Sequence, residues 1–87
     1  SHIMRMLEDA AEYLLLNVIR ELAKNYKVSN ETIHFMASFY RFSFAGVIFD
    51  WIEKGMHDNP QKIVDQVAIL MQGTFPSALE RFEKAKM

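Results

Sequence analysis

The stretch FMASFYRFSFAGVIFDWIEKG, residues 35–55, decides the fold, because it reads as a long helix that is apolar on nearly every side. At about 100° per residue, one apolar stripe falls within a sector about 80° wide, and a second is centred more than about 90° away. The first stripe consists of Phe35, Phe39, Phe42 and Phe49, and the second of Met36, Tyr40, Phe44, Val47 and Trp51. A small domain cannot bury one of its own helices on every side, so one of the two stripes must be buried by something outside the chain.

A partner subunit is the expected cover. A monomer rarely leaves an apolar patch of more than roughly a few hundred Å² in water, and a two-fold dimer is the commonest closed assembly. We therefore predict a homodimer interface formed by Met36, Tyr40, Phe44, Val47 and Trp51. We predict that the other stripe, Phe35, Phe39, Phe42 and Phe49, lines a pocket for a small molecule, to which Tyr40 or Arg41 would add a polar group. The simpler alternative is that all these aromatic side chains form the core of a monomer.

Gly46 lies in the first stripe, in the middle of the predicted helix. A glycine at such a position costs about 1 kcal/mol relative to alanine, so a compensating role is expected. Gly46 would either let a facing helix approach closely or leave space for a ligand beside Phe42 and Phe49.

The rest of the sequence predicts three further helices and no strand. The four predicted helices are residues 5–26, 31–54, 61–72 and a last helix that opens with the capping box Ser77-Ala78-Leu79-Glu80. Ser29 or Asn30 is expected to cap the second helix, and Gly55 to end it. Asn59 followed by Pro60 is a strong start signal for the third. We predict an all-α, four-helix antiparallel bundle-like domain that dimerises through a two-subunit four-helix bundle.

Composition excludes several classes of function. The chain has 87 residues, a net charge of −1 and no cysteine, so neither a basic nucleic-acid-binding stripe nor thiol chemistry is expected. Arg41 and Asp50 interrupt the longest apolar region, so we expect no membrane span and no membrane partner, and we predict a cytoplasmic protein. Ser1-His2 resembles an expression-vector remnant, so the domain is expected to comprise residues 3–87.

Few residues are arranged for catalysis or metal binding. Asp50 and Glu53 lie on one face of the second helix. They would form either a pair of interacting carboxylates or an edge of the helix that faces solvent. Glu31 and His34 have the spacing of helical metal ligands, but a zinc site needs at least three protein groups. We therefore predict no enzyme activity, no metal and no cofactor.

A spaced motif runs from the aromatic helix into the next one. It consists of Phe39-Tyr40-Arg41-Phe42, Ala45-Gly46-Val47-Ile48, Trp51-Ile52-Glu53-Lys54-Gly55-Met56, Asn59-Pro60 and Ile63-Val64. Over about residues 30–72 the chain thereby resembles the C-terminal domain of TetR-type transcriptional regulators. The resemblance implies an all-α regulatory domain that dimerises through the last two major helices of each subunit. It also implies a pocket for a small, usually apolar effector that shifts the spacing of two DNA-reading heads.

The chain departs from this family pattern at both ends. Family members begin with a three-helix DNA-binding module that is not visible here, so we expect DNA contact only through a missing N-terminal helix-turn-helix domain. Residues 73–87 have no counterpart in the pattern. The sequence thus predicts the dimerisation and small-molecule-sensing domain of a TetR-like regulator. The alternative is a helical protein–protein interaction module unrelated to transcription.

Overall fold

The protein is all-α, as predicted. A computed structural model describes all 87 residues and contains four helices and no strand. The helices are α1 (His2–Ala23), α2 (Asn30–Glu53), α3 (Pro60–Leu70) and α4 (Thr74–Lys84). The predicted bounds of the first three helices differ from these by at most a turn, which is the usual uncertainty at helix ends.

Local cap chemistry fixes the ends of α2 and the start of α3. The Ser29 Oγ accepts a hydrogen bond of 3.1 Å from the Thr32 N–H, and the Asn59 Oδ1 accepts one of 2.9 Å from the Gln61 N–H. Pro60 occupies the first turn of α3, where a missing N–H costs nothing. Gly55 ends α2 with a φ of +86°, a left-handed conformation that glycine adopts without steric cost. These predicted caps are confirmed.

The predicted start of α4 is wrong. The helix begins at Thr74, with Gly73 as its N-cap residue at a φ of +75°, and not at a capping box on Ser77. The Ser77 N–H donates a 3.1 Å hydrogen bond to the Gly73 carbonyl, which places Ser77 inside the helix. Its Oγ accepts instead from the Arg81 Nη1, at 2.6 Å. Pro76 lies in the first turn of α4. A proline is tolerated there because the backbone N–H groups of the first turn have no acceptor within the helix.

The centre of the molecule is an antiparallel hairpin of α1 and α2, closed by α4. Two contacts show that α1 and α2 are antiparallel. Glu12, near the middle of α1, contacts Arg41 of α2, whereas Arg20, further along α1, contacts His34, which comes earlier in α2. The buried core contains Leu15, Ile19 and Ala23 of α1, Ile33, Met36 and Ala37 of α2, and Leu79 of α4. Leu79 is fully buried. Three helices therefore share one core.

The end of α4 is fastened to the start of α2. The Met87 carbonyl accepts hydrogen bonds from the Ser29 N–H, at 3.0 Å, and from the Thr32 hydroxyl, at 2.9 Å. One turn earlier, the Glu83 carboxylate accepts a hydrogen bond from the Lys27 N–H. Residues 74–87, which the sequence motif did not cover, thus complete the core and hold the α1–α2 connection.

Helix α3 stands apart from this core. It has no buried residue, and Ile69 and Leu70 are 74% and 80% exposed. The predicted packing of all four helices around one centre is therefore not seen within a single chain. None of the helices is long and apolar enough to cross a membrane.

We expect Leu79→Ala to lower the free energy of unfolding by about 2–5 kcal/mol, because it leaves a cavity where α4 meets the hairpin. Leu14→Ala is the matched control, and its effect should stay below about 0.5 kcal/mol because Leu14 is 62% exposed. Urea unfolding followed by circular dichroism, at one protein concentration, measures both. Equal losses in the two variants would contradict the position of α4 in the core.

Candidate functional site

One side of α2 is an exposed aromatic strip, which we call the open face. It comprises Phe35, Phe39, Phe42, Gly46 and Phe49. Phe35, Phe39 and Phe42 are 59%, 62% and 54% exposed, and Phe49 is half-buried. A Cβ added to Gly46 would meet no other atom within 4 Å. Arg41, which reaches Glu12 of α1, lies about 120° around the helix from the centre of the strip. The open face is therefore an apolar surface that the chain itself covers only in part, and its three most exposed rings are those of Phe35, Phe39 and Phe42.

The rings of the open face are held by their neighbours. The centroids of Phe35 and Phe39 lie 6.1 Å apart, and Phe39 meets the ring of Tyr40 edge-on at 5.2 Å. The Arg41 guanidinium carbon lies 4.5 Å from the centroid of the Phe42 ring, a cation–π contact. The surface is thus pre-arranged, which lowers the entropy lost when a partner covers it.

Arg41 is committed to contacts within the chain. Its Nη1 lies 2.6 Å from the Glu12 carboxylate of α1 and donates a second hydrogen bond of 2.9 Å to the Ser38 hydroxyl. The sequence offered Arg41 as a polar group for a ligand. In the structure it joins α1 to α2 and braces Phe42.

A second feature is an apolar cavity of about 480 Å³ between α2 and α3. Its α2 wall is formed by Tyr40, Ser43, Phe44, Val47 and Ile48. Its opposite wall is formed by Ile63, Val64, Val67, Ala68, Leu70 and Met71. Neither wall contains a charged side chain. The cavity exists because α3 lies beside α2 without packing closely against it.

The predicted interface stripe lies mostly on the inner side of α2. Met36 is only 2% exposed and belongs to the core, and Tyr40 and Phe44 pack against that core while also lining the cavity. Val47 lines the cavity as well. Trp51 is half-buried, and its Nε1 donates a 2.8 Å hydrogen bond to the Asp58 carbonyl, which holds the α2–α3 loop.

The predicted pocket stripe lies on the outside instead, since it makes up the open face. The structure thus brings the residues of each stripe together along α2, with the first stripe towards solvent and the second towards the core and the cavity. Sequence reasoning did not identify the α3 wall of the cavity. The signal for this wall in the sequence is the regular apolar stripe of the third helix, formed by Ile63, Val64, Val67, Leu70 and Met71.

Two of the polar candidates, His34 and Asp50, make ordinary contacts within the chain. The Arg20 Nη2 lies 3.0 Å from the His34 Nε2, so His34 faces α1. Asp50 accepts from Lys54 at 2.9 Å, and this hydrogen bond, together with the charge of Asp50, raises the pKa of Lys54. No group of three or more His, Asp and Glu side chains could hold a metal ion.

Comparison with known proteins identifies the family. A TetR-type C-terminal family, described as a transcriptional regulator C-terminal region, matches residues 1–73. Since the match covers most of the 87 residues, the chain belongs to this family. The resemblance predicted from the aromatic helix is confirmed, and the match also includes α1. A search of curated proteins and a search of solved structures each found no match.

We expect Arg41→Ala to cost about 1–2 kcal/mol of stability, because it removes a contact between helices whose side chains are only 29% and 30% exposed. Lys54→Ala is the matched control. It breaks a pair within α2 whose side chains are 73% and 61% exposed, and it should lower stability less than Arg41→Ala does. Urea unfolding of both variants measures the difference. Similar costs would show that the Glu12–Arg41 pair contributes no more than a surface pair.

Proposed function

We propose that this chain is the dimerisation and small-molecule-sensing domain of a TetR-family transcriptional regulator. The open face is the observation that carries the proposal. It is apolar, pre-arranged and uncovered, and it lies in a chain that belongs to a family of transcriptional regulators. In this proposal DNA is contacted by a helix-turn-helix region outside these residues, while the chain pairs two regulators and receives a signal.

A second copy of the chain suits the open face better than an unrelated protein does. A two-fold axis through Gly46 would bring the open face of one chain against the open face of the other. Both surfaces are apolar and uncharged, so the contact would bury no charge. The absence of a side chain at Gly46 lets two helix backbones approach closely at the crossing point. This role compensates for the helix propensity that a glycine loses.

The size of the open face indicates that α3 takes part as well. A phenylalanine buries about 150–250 Å² when fully covered, so three rings that are just over half exposed offer on the order of 300–350 Å². A stable interface buries about 800 Å² from each partner. The exposed side chains of Ile69 and Leu70 are the apolar surface that α3 can add. Helices α2 and α3 of two chains would then form the two-subunit four-helix bundle.

This proposal reverses the roles that the sequence suggested for the two stripes. Burial favours Phe35, Phe39 and Phe42 as the contact with the second copy, because a partner can reach them. Met36 has almost no surface left for a partner. Tyr40, Phe44 and Val47 instead border the α2–α3 cavity, which we propose as the sensing site.

The pairing of subunits can be tested with Phe39→Glu. We expect the wild-type chain to sediment at twice its mass of 10.2 kDa, and Phe39→Glu to sediment as a monomer, because dimerisation would bury an unpaired charge. Leu14→Glu is the matched control, since Leu14 on α1 is also 62% exposed but lies off the open face. It should remain a dimer. A wild type that is monomeric at every concentration, or a dimeric Phe39→Glu variant, would overturn the proposed interface.

Gly46→Ala should have opposite effects on the chain and on the dimer. In the Phe39→Glu background it should raise the free energy of unfolding by about 0.5–1 kcal/mol, because the methyl group has room and alanine favours the helix. In the otherwise wild-type chain it should raise the dimer dissociation constant at least about five-fold, since a methyl group is added at the helix crossing. Urea unfolding and sedimentation equilibrium measure the two effects. A tighter dimer would place the crossing point elsewhere.

A further inference from the structure

We infer that α3 is a lid, which closes over the apolar cavity by swinging towards α2 while its two ends stay in place. The inference concerns a motion of the chain itself and requires no bound molecule. Its consequence, control of access to the cavity, rests on the proposed sensing function.

The two ends of α3 are attached to fixed parts of the molecule. At the N-terminal end, the Trp51 Nε1 donates a 2.8 Å hydrogen bond to the Asp58 carbonyl, two residues before the helix begins. At the C-terminal end, α3 leads into α4, whose Leu79 is fully buried and whose Met87 carbonyl accepts a hydrogen bond from the Ser29 N–H. The two attachments therefore define an axis about which α3 can swing.

The part of α3 between these ends has little packing of its own. The helix has no fully buried residue, and in its cavity wall the Val64 and Leu70 side chains are 58% and 80% exposed. The facing wall on α2 is also apolar, and neither wall contains a charged side chain. Because closure removes apolar surface from water without stripping any charge of its hydration, the hydrophobic effect favours the closed position.

Gly73, between α3 and α4, supplies the freedom that the swing needs at the C-terminal end. Its φ is +75°, and a Cβ added there would meet no other atom within 4 Å. Since glycine populates positive and negative φ about equally and no neighbouring group restrains this one, the backbone turns here at little cost. At the other end, Gly55 and Met56 also have positive φ, +86° and +57°. Both ends of α3 thus adjoin non-helical backbone, where hinges occur.

The direction of the swing decides which residues of α3 approach α2. Val67 lies in the cavity wall, as does Val47 of α2. Ile69 lies about 160° around α3 from Val67 and is 74% exposed. Closure therefore brings Val67 towards Val47 and leaves Ile69 on the far side of the helix. An open lid admits a molecule to the cavity, and a closed lid fills the cavity with the side chains of its own walls.

An engineered disulfide detects the closed position. The chain has no cysteine, so Val47→Cys combined with Val67→Cys gives one thiol on each wall and no other thiol. Cα atoms more than about 7 Å apart cannot be joined by a disulfide unless the backbone moves. Val47→Cys combined with Ile69→Cys is the matched control, because the second thiol lies on the same helix but faces away from the cavity. Both pairs are made in the Phe39→Glu background at low protein concentration, so that the disulfide forms within one chain.

We expect the Val47–Val67 pair to oxidise at least ten-fold faster than the Val47–Ile69 pair, as measured by loss of free thiols and by electrophoresis without reductant. Equal rates, or no disulfide in the first pair, would overturn the lid.

Amide hydrogen exchange separates a moving lid from a helix that is fixed beside α2. Helices α3 and α4 both have eleven residues, so α4 is an internal standard of the same length. In the reduced Val47–Val67 variant we expect the amides of α3 to exchange at least ten-fold faster than those of α4, which buries Leu79. Oxidation should slow exchange in α3 at least five-fold and leave α4 unchanged. A reduced variant in which α3 exchanges as slowly as α4, or a disulfide without effect on α3, would show a fixed helix and overturn the lid.

Both measurements are made without a ligand, so they decide the lid whether or not the cavity proves to be a sensing site. A rigid α3 would remove the lid and leave the proposed function in place.

Discussion

The structure depends on one constraint. Helix α2 is apolar around most of its circumference, and the other helices of the same chain can bury only part of that surface. The molecule measures 17 Å along its shortest axis, which corresponds to two layers of helices at the usual separation of about 8–10 Å. Every helix in two layers has an outer side. The core takes Ile33, Met36 and Ala37, so the rings of the open face remain outside. The expectation that a partner covers the open face therefore follows from the two-layer fold and from the apolar composition of α2.

Tyr40 contacts the open face, helix α4 and the apolar cavity. Its ring contacts Phe39 of the open face edge-on at 5.2 Å and Phe75 of α4 edge-on at 5.3 Å. The same residue lines the apolar cavity. A molecule that displaced this ring would therefore press on the surface proposed to pair subunits and on the helix that closes the core. Such a contact gives ligand binding and pairing a physical means of influencing each other, and any such influence must be reciprocal.

The sequence predicted the features that depend on local chemistry, and it carried less information on the features that depend on residues far apart in the chain. The Ser29 and Asn59 caps and the turn at Gly55 follow from interactions within a few residues, and they were predicted correctly. Both stripes on α2 were also placed correctly around the helix. Which stripe faces inward depends on where α1 docks, and that is fixed in part by the contact between Glu12 and Arg41, which are far apart in sequence. A helical wheel contains no information about such a contact when both stripes are equally apolar.

Helix α3 links the two proposed functions through its own marginal stability. A helix of eleven residues is shorter than the roughly 12–15 residues that an isolated helix needs to be even marginally stable in water. Most helices compensate by burying an apolar face, but α3 has no fully buried residue, and Ile63 and Val67 are only half-buried. Two parts of α3 could gain burial, namely the cavity wall, which includes Leu70, and the exposed side chain of Ile69, which lies outside that wall. A ligand that orders α3 from the cavity side would lower the entropy that a second copy must remove in order to pack against the other side. Sensing and pairing are then coupled because both stabilise the same helix.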